Sequence, residues 1–206
     1  MEMDDIRVIV MCKAPVPGAV KTRLMSRYSA AQAAQWHATM ATTVIERAKR
    51  LFNDVVIAAD DPKHDFFTGF GLPVTIQAEG DLGDRMNRQI GLAFADAASA
   101  VLLLGTDSPH MPESRLVAAT HALEHADVVL GPVEDGGYDL VAMNRPLSVF
   151  SGVVWSSDQV LHKTLENILH QGLTVEQLGI GFDVDFPDDI EKARQAGWIS
   201  PGLHSV

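Results

Sequence analysis

Ala100-Val-Leu-Leu-Leu-Gly105 decides how this chain folds. The run is apolar without polar alternation, the pattern of a central strand covered on both faces. Outward from it, strand-like runs at Ile6–Met11, Val55–Ala59, Val74–Ala78 and Val128–Gly131 alternate with helical ones. The helices are read at about Ser29 to Phe52, Pro62–Gly69, Asp84 to Ala98 and Pro112 to His125. Such alternation predicts an α/β fold: a mainly parallel sheet with helices on both faces and ligands gathered outside the carboxyl ends of the strands. After Gly131 the rhythm changes. Tyr138–Met143 reads as another strand, open to an antiparallel placement, followed by a helix behind the capping box Ser156-x-x-Gln159. A strand within Leu173–Leu178 and a last helix, with Pro187 in its first turn and its end near Gly197, complete the chain.

With 206 residues, 47% of them hydrophobic, and no repeat or Pro/Ser-rich linker, residues 1–206 read as a single domain. The acidic start, Met1-Glu-Met-Asp-Asp5, runs into an apolar stretch of about six residues, too short for a secretory or membrane-spanning segment. A soluble, cytoplasmic protein is expected. Cys12 is the sole cysteine, so no intrachain disulfide and no Cys-based zinc site can form. A net charge of −11 argues against a general nucleic-acid or anionic-membrane surface. The distribution says more. Residues 6–50 hold eight of the sixteen Lys and Arg against one acid, Glu46, for a net +7, leaving −18 elsewhere. An anionic small molecule can be met by the first segment and a divalent cation by acids from the second.

The basic segment concentrates in Lys13-Ala-Pro-Val-Pro-Gly18-Ala-Val-Lys21-Thr22-Arg23-Leu24, directly after the first strand. Pro15 and Pro17 fix φ and Gly18 lets the backbone approach a ligand closely, while Lys13, Lys21 and Arg23 supply charge for phosphate oxygens. A solvated basic turn is the plainer alternative. The helix behind it opens on a second capping box, Ser29-x-x-Gln32.

Three acidic clusters follow strands. Asp107, in Gly105-Thr-Asp-Ser-Pro109, stands at the carboxyl end of the central run, where it suits Mg²⁺ or Mn²⁺ or else an Asx-turn. Glu134-Asp135-Gly136-Gly137-Tyr138 either lets backbone approach a substrate or makes a plain hairpin turn. In Asp183-Val-Asp185-Phe-Pro-Asp-Asp189, extended alternation turns Asp183 and Asp185 the same way, toward one cation, with helix capping as the alternative for Asp185. Asp188 and Asp189 fit the first turn of a helix, where they complement its dipole.

Several chemistries lack their signatures. Gly18-Ala-Val-Lys21-Thr22 misses the paired glycine of a P-loop, and neither Gly-x-Gly-x-x-Gly nor Gly-x-Ser-x-Gly occurs where needed. Asp183-x-Asp185 comes too late for an aspartyl-phosphate phosphatase, since only 21 residues follow it. His121-x₃-His125 has metal-ligand spacing but reads as a solvated helix face. Cys12, beside Lys13, is either a low-pKa thiol or the apolar end of a buried strand. Trp36, Trp155 and Trp198 read as packing.

KAPVPGAVKTRL (13–24), GDLGDRM (80–86), GTDSP (105–109), GPVEDGGYDL (131–140), Trp155-Ser-Ser157 and DVDFPDD (183–189) together resemble the bacterial glycosyltransferase-like "transferase 1" family. That family lies in the nucleotide-diphospho-sugar transferase superfamily and is similar to 2-phospholactate and phosphoenolpyruvate guanylyltransferases. The resemblance runs from Arg7 to about Gly197 and implies a three-layer α/β/α GT-A-type fold with a nucleoside triphosphate or sugar nucleotide over the first loop. It implies nucleotide binding by Lys13, Pro15, Gly18, Lys21, Thr22, Arg23, Gly83 and Arg85, and substrate binding by Asp135, Gly136, Gly137 and Tyr138. Lys21, Arg23 and Asp107 would be catalytic, with Mg²⁺ or Mn²⁺ on Asp107, Asp135 and Asp185. Two positions depart from the family pattern: Asp139, where a second aromatic is common, and Phe186, where threonine is.

The activity so implied is nucleotidyl transfer to a small phosphorylated or anionic acceptor with loss of pyrophosphate. Glycosyl transfer from a nucleotide-diphospho-sugar and non-catalytic nucleotide binding are the alternatives. The loop is richer in cations than a diphosphate needs, which favours the first. Neither base, acceptor nor oligomeric state follows from these residues.

Overall fold

The computed structural model describes residues 6–200, so the acidic start at 1–5 lies outside the described residues. One seven-stranded sheet forms from β1 (Ile6–Cys12), β2 (Asp54–Ala59), β3 (Val74–Ile76), β4 (Ala100–Leu104), β5 (Val128–Pro132), β6 (Tyr138–Met143) and β7 (Val175–Gln177). Their spatial order is β3-β2-β1-β4-β6-β5-β7. β6 runs antiparallel to both neighbours, and the remaining pairings are parallel. All five residues of β4 are buried, as the unbroken apolar run predicts.

Five α-helices cover the sheet: α1 (Ala30–Leu51), α2 (Leu82–Ala95), α3 (Glu113–Ala122), α4 (Val160–His170) and α5 (Pro187–Gln195). Strand alternation divides the core into two layers. Leu102 and Leu104 of β4, with Val8 and Val10 of β1, pack under Ala41 and Val44 of α1 and Leu116 of α3. Val101 and Leu103 face Met86 and Ile90 of α2 and Ile168 of α4. The fold is thus three-layer α/β/α. Between β1 and β4 the chain changes direction: β1–α1–β2 steps one way across the sheet, and β3–α2–β4 returns past β1 to its other side. That switch point is where an open α/β sheet leaves a crevice at its strand ends.

A third cluster fixes the crevice's rim. Leu24, fully buried, sits with Ala33, Trp36 and Met40 of α1 against Val184, Ile190, Ala193 and Trp198. Burying one such leucine is worth about 2 kcal/mol, enough to tie the basic loop to the segment that carries Asp185. The expected packing of Trp36 and Trp198 is seen here, and Trp155 packs against Phe150.

The Ser29 capping box forms: Ser29 Oγ accepts from Gln32 N at 3.3 Å, and Gln32 Oε1 accepts from Ser29 N at 2.8 Å. The Ser156 box does not. Gln159 caps α4 without a side-chain bond, and Ser156 has a left-handed φ of 61°. The Gln159 N–H that the box would have given to Ser156 donates instead to Ser157 Oγ at 3.3 Å, and the Gly136 carbonyl accepts the Leu161 N–H at 2.8 Å. The segment expected as a short helix near 62–69 is a 3₁₀ turn, Asp65–Phe70, wedged by buried Phe67 and Phe70. Asp188 and Asp189 occupy the first turn of α5 behind Pro187, as expected. Among the described residues no helix is long and apolar enough to cross a membrane.

Candidate functional site

β1 and β4 deliver the chain into a cavity of about 520 Å³ at their carboxyl ends. Lys13, Lys21, Thr22 and Arg23 enter it from the loop after β1, and Arg85 from the first turn of α2. Asp107 follows β4, Tyr138 opens β6, and Asp185 precedes α5.

Lys21 organises this space. Its backbone is left-handed (φ 46°, ψ 43°), which for a lysine is a strained turn held by its surroundings. The side chain, 6% exposed, carries its ammonium to three oxygens: Val184 O at 2.7 Å, Asp107 Oδ1 at 2.8 Å and Asp185 Oδ1 at 2.9 Å. Three N–H donors thus meet three acceptors, which satisfies a buried ammonium completely. Burial pulls the Lys21 pKa down, but Asp107 and Asp185 outweigh it and hold the group above its ordinary value. Asp185, itself half-buried, is pushed up by burial and drawn below the usual range by Lys21 and Arg23, the latter donating to Oδ2 at 2.5 Å. A backbone bond from Val184 N to Asp107 O, 2.8 Å, zips the two acidic segments together.

Lys13 is exposed at the loop's start, with no acid paired to it among the described ion pairs, and Arg85 donates only to the Gly80 carbonyl at 3.0 Å. Their charge is therefore available to an anion in the cavity. His37 of α1, 5% exposed, lines the cavity from below, and its Nε2 lies 2.9 Å from the Lys13 carbonyl. Burial keeps the ring below its ordinary pKa against the pull of that hydrogen bond, so the neutral imidazole donates from Nε2 and fixes the strand-to-loop junction.

The expected residues divide. Lys13, Lys21, Thr22, Arg23, Arg85, Asp107, Tyr138 and Asp185 line the cavity; Pro15, Gly18, Gly83, Asp135, Gly136 and Gly137 do not. Gly18 supplies a φ of 83° to the loop. A Cβ on Gly83 would lie 2.9 Å from both Phe150 and Trp155, so that glycine serves packing of α2. Asp135 Oδ1 accepts from Gly137 N at 2.9 Å, closing the β5–β6 hairpin. At Gly136 (φ 86°) a Cβ would lie 2.3 Å from the Asp158 carbonyl oxygen. Gly136 thus brings backbone close to the turn before α4, while Gly137 faces Asp135 and Val133 of its own hairpin, and neither lines the cavity. Cys12 is buried and its thiol is driven up by burial, which excludes the low-pKa reading. His121 and His125 are both exposed, as a solvated face requires.

Among the described residues no three His, Cys, Asp or Glu side chains are grouped as a metal cage. The oxygens around Lys21 Nζ nonetheless fit a hard cation: two carboxylates, as Mg²⁺ takes from protein when phosphates and water complete its shell, with the Val184 carbonyl beside them.

Three groups stand where the sequence reading did not put them. Asp183, expected to turn with Asp185 toward one cation, instead accepts from Ser108 Oγ at 2.6 Å and does not line the cavity, and burial, reinforced by Asp107, pushes its carboxyl up to about 7. Asp139, inside otherwise apolar β6, pairs with Arg115 of α3 at 3.1 Å, and burial holds it at about 6 against that pairing. His37 is the third; its place in the apolar stripe with Ala33, Met40, Ala41 and Val44 was the available signal.

Residues 39–157 match the model of a bacterial family described as "Uncharacterized protein conserved in bacteria (DUF2064)". A solved structure from Desulfovibrio desulfuricans G20, described as a candidate nucleotide-diphospho-sugar transferase, is 30% identical with a TM-score of 0.81, over 89% of this chain and 83% of that one. CMP:2-keto-3-deoxy-manno-octonic acid synthetase complexed with CTP superposes with a TM-score of 0.60 at 14% identity, covering 92% of this chain and 97% of that one. The 4-diphosphocytidyl-2C-methyl-D-erythritol synthase of Anaerococcus prevotii DSM 20548 does so with 0.58 at 11% identity, over 94% and 96%. These last two likenesses concern the fold. No curated protein matches the sequence.

Proposed function

The chain belongs to the bacterial DUF2064 family, and from that premise we propose that it is a Mg²⁺-dependent, nucleotide-utilising transferase. Nucleotidyl transfer from a nucleoside triphosphate to a small phosphorylated or anionic acceptor is the preferred reaction. The observation that carries it is the pairing, across one cavity, of uncommitted Lys13 and Arg85 with the Lys21–Asp107–Asp185 cluster. A free triphosphate carries more charge than two cations balance, and the acids opposite allow its ion to come with it.

In this reading Lys13 and Arg85 hold phosphate oxygens, His37 keeps the Lys13 junction in place, and Asp107 and Asp185 hold the divalent ion. The ion, when bound, neutralises charge on the departing pyrophosphate. The acceptor oxygen forms a bond to the α-phosphorus in line with the bond that breaks, and the pyrophosphate takes that electron pair. Catalysis then comes from alignment and fixed charge, with no protein nucleophile. The resemblance to the guanylyltransferases belongs to this proposal as well.

A second reading, glycosyl transfer from a nucleotide-diphospho-sugar, is favoured by the description of the 30% identical Desulfovibrio structure. The same ion would then sit on a leaving nucleoside diphosphate. Incubation with four nucleoside triphosphates and a panel of phosphorylated acceptors separates the readings. Acceptor-dependent pyrophosphate release, abolished in Asp107→Asn, supports the first. Nucleoside diphosphate released from a sugar nucleotide supports the second, and calorimetric nucleotide binding without turnover reduces the protein to a binder.

A further inference from the structure

We infer that Lys21 is a built-in stand-in for the divalent cation: its ammonium fills the oxygen site between Asp107 and Asp185, so the ion enters only with a nucleotide whose phosphates draw Lys21 away. The inference rests on the proposed reading of the cavity, which it deepens by fixing the order of binding.

The geometry is that of a small cation site with the wrong cation in it. Asp107 Oδ1, Asp185 Oδ1 and Val184 O surround Nζ at 2.7 to 2.9 Å. Mg²⁺ holds its oxygens at about 2.1 Å, so each contact needs to shorten by only roughly 0.7 Å to change occupants. Two cations cannot share so small a site, because their repulsion at this range in a half-buried place far exceeds thermal energy. An empty site is disfavoured as well, since Asp107 would lose the cation it pairs with and Asp185, held beside it through the Val184–Asp107 backbone bond, would keep only Arg23. Lysine is suited to the exchange. Its point charge on a four-carbon stem swings between partners, whereas an arginine fork would be locked by its geometry.

The backbone points the same way. Lys21 holds a left-handed conformation without glycine, at the head of the 3₁₀ turn Thr22–Ser26. Such a residue persists there because three bonds to Nζ over-determine it, and release of Nζ toward phosphates in the cavity frees the turn to relax. Thr22 and Arg23, the next two residues, also line the cavity, so relaxation there bears directly on the nucleotide.

A lysine that merely clamps the two acidic segments together predicts something different: its removal loosens them and creates no ion site. Binding of Mn²⁺ alone, without nucleotide, to the full-length protein, read by electron paramagnetic resonance, distinguishes the two. Wild type is expected to bind no Mn²⁺ tighter than roughly 1 mM. Lys21→Met is expected to take up one Mn²⁺ about a hundredfold more tightly, and Lys21→Met/Asp107→Asn to lose that gain. Lys21→Gln replaces the methionine variant should the latter not fold. Equal, weak binding by wild type and the Lys21 variants overturns the inference, as does a wild-type site filled at tens of micromolar Mn²⁺ and lost in Asp107→Asn. Because no nucleotide is present, these outcomes are independent of whether the protein proves to be a nucleotidyltransferase.

Discussion

Replacing Arg115 by methionine should destabilise the protein strongly at about pH 8 and only weakly at about pH 5. Asp139 is 4% exposed at its side chain and Arg115 11%, so the pair is inside the protein. Even beside the guanidinium, burial lifts the Asp139 carboxyl from 3.8 to about 6. Each unit is 1.36 kcal/mol, so keeping Asp139 ionised above that pH already costs about 3 kcal/mol. Without Arg115 the charge is buried alone, and a further loss of about 3–5 kcal/mol follows. A carboxyl whose pKa is higher folded than unfolded binds its proton first in the folded state. Stability is therefore regained as pH falls through the folded value, and the penalty shrinks to about 1–2 kcal/mol once Asp139 is neutral. His110, pushed down to about 4 by burial with Arg47, Lys192 and Arg115 adding to it, titrates in the opposite sense, so the Asp139 effect is read between Arg115→Met and Arg115→Met/Asp139→Leu, which share the same His110 surroundings. Arg115→Met/Asp139→Leu, which buries no charge, should recover most of the loss at about pH 8. Urea unfolding followed by circular dichroism at both pH values measures all three chains. An equal penalty at both, or a double variant as weak as the single, would falsify the reasoning.

Backbone shape gives a paired prediction. Gly136→Ala drives a Cβ into the Asp158 carbonyl at φ 86° and should cost more than about 2 kcal/mol, whereas Gly91→Ala, inside α2 with nothing within 4 Å, should gain about 0.5–1 kcal/mol; thermal melts of both decide. Lys13→Ala and Arg85→Ala should each raise KM for the nucleotide about tenfold while shifting stability by less than about 0.5 kcal/mol, and an unchanged KM in both would remove them from the phosphate site. Chelation with EDTA should abolish turnover and Mg²⁺ restore it, without change in the circular dichroism spectrum, since the oxygen site is filled by Lys21 when no ion is present.

The sheet was legible because its signals are local and strong. Ala100–Leu104 announces a doubly covered strand, and Ser29 and Gln32 announce the helix they cap. The Ser156 box failed because Ser156 is left-handed and its neighbour Ser157 takes the Gln159 N–H, a choice between adjacent serines that the Ser-x-x-Gln spacing does not report. Lysines, arginines and aspartates at strand ends named most of the cavity correctly. What they could not convey is pairing across the fold. Lys21 and Asp185 are 164 positions apart, and the sequence reading assigned one to phosphate and the other to metal, whereas in the structure they touch. Asp135 went astray for a related reason: Asp-Gly fits both a ligand loop and a hairpin, and Gly136 packed on Asp158 makes it the hairpin. Asp139 was noted only as a departure within the 131–140 motif and Arg115 lies in no motif, so nothing local announced their buried pairing.

The most direct test of the central claim is a crystal structure with a non-hydrolysable nucleoside triphosphate and Mn²⁺, located by anomalous scattering. The account predicts one Mn²⁺ bridging phosphates to Asp107 and Asp185, with Lys13 and Arg85 on phosphate oxygens and Lys21 Nζ withdrawn from both carboxylates. Triphosphate bound away from the β1 and β4 strand ends, or Mn²⁺ held by other residues with the Lys21 cluster intact, would contradict it.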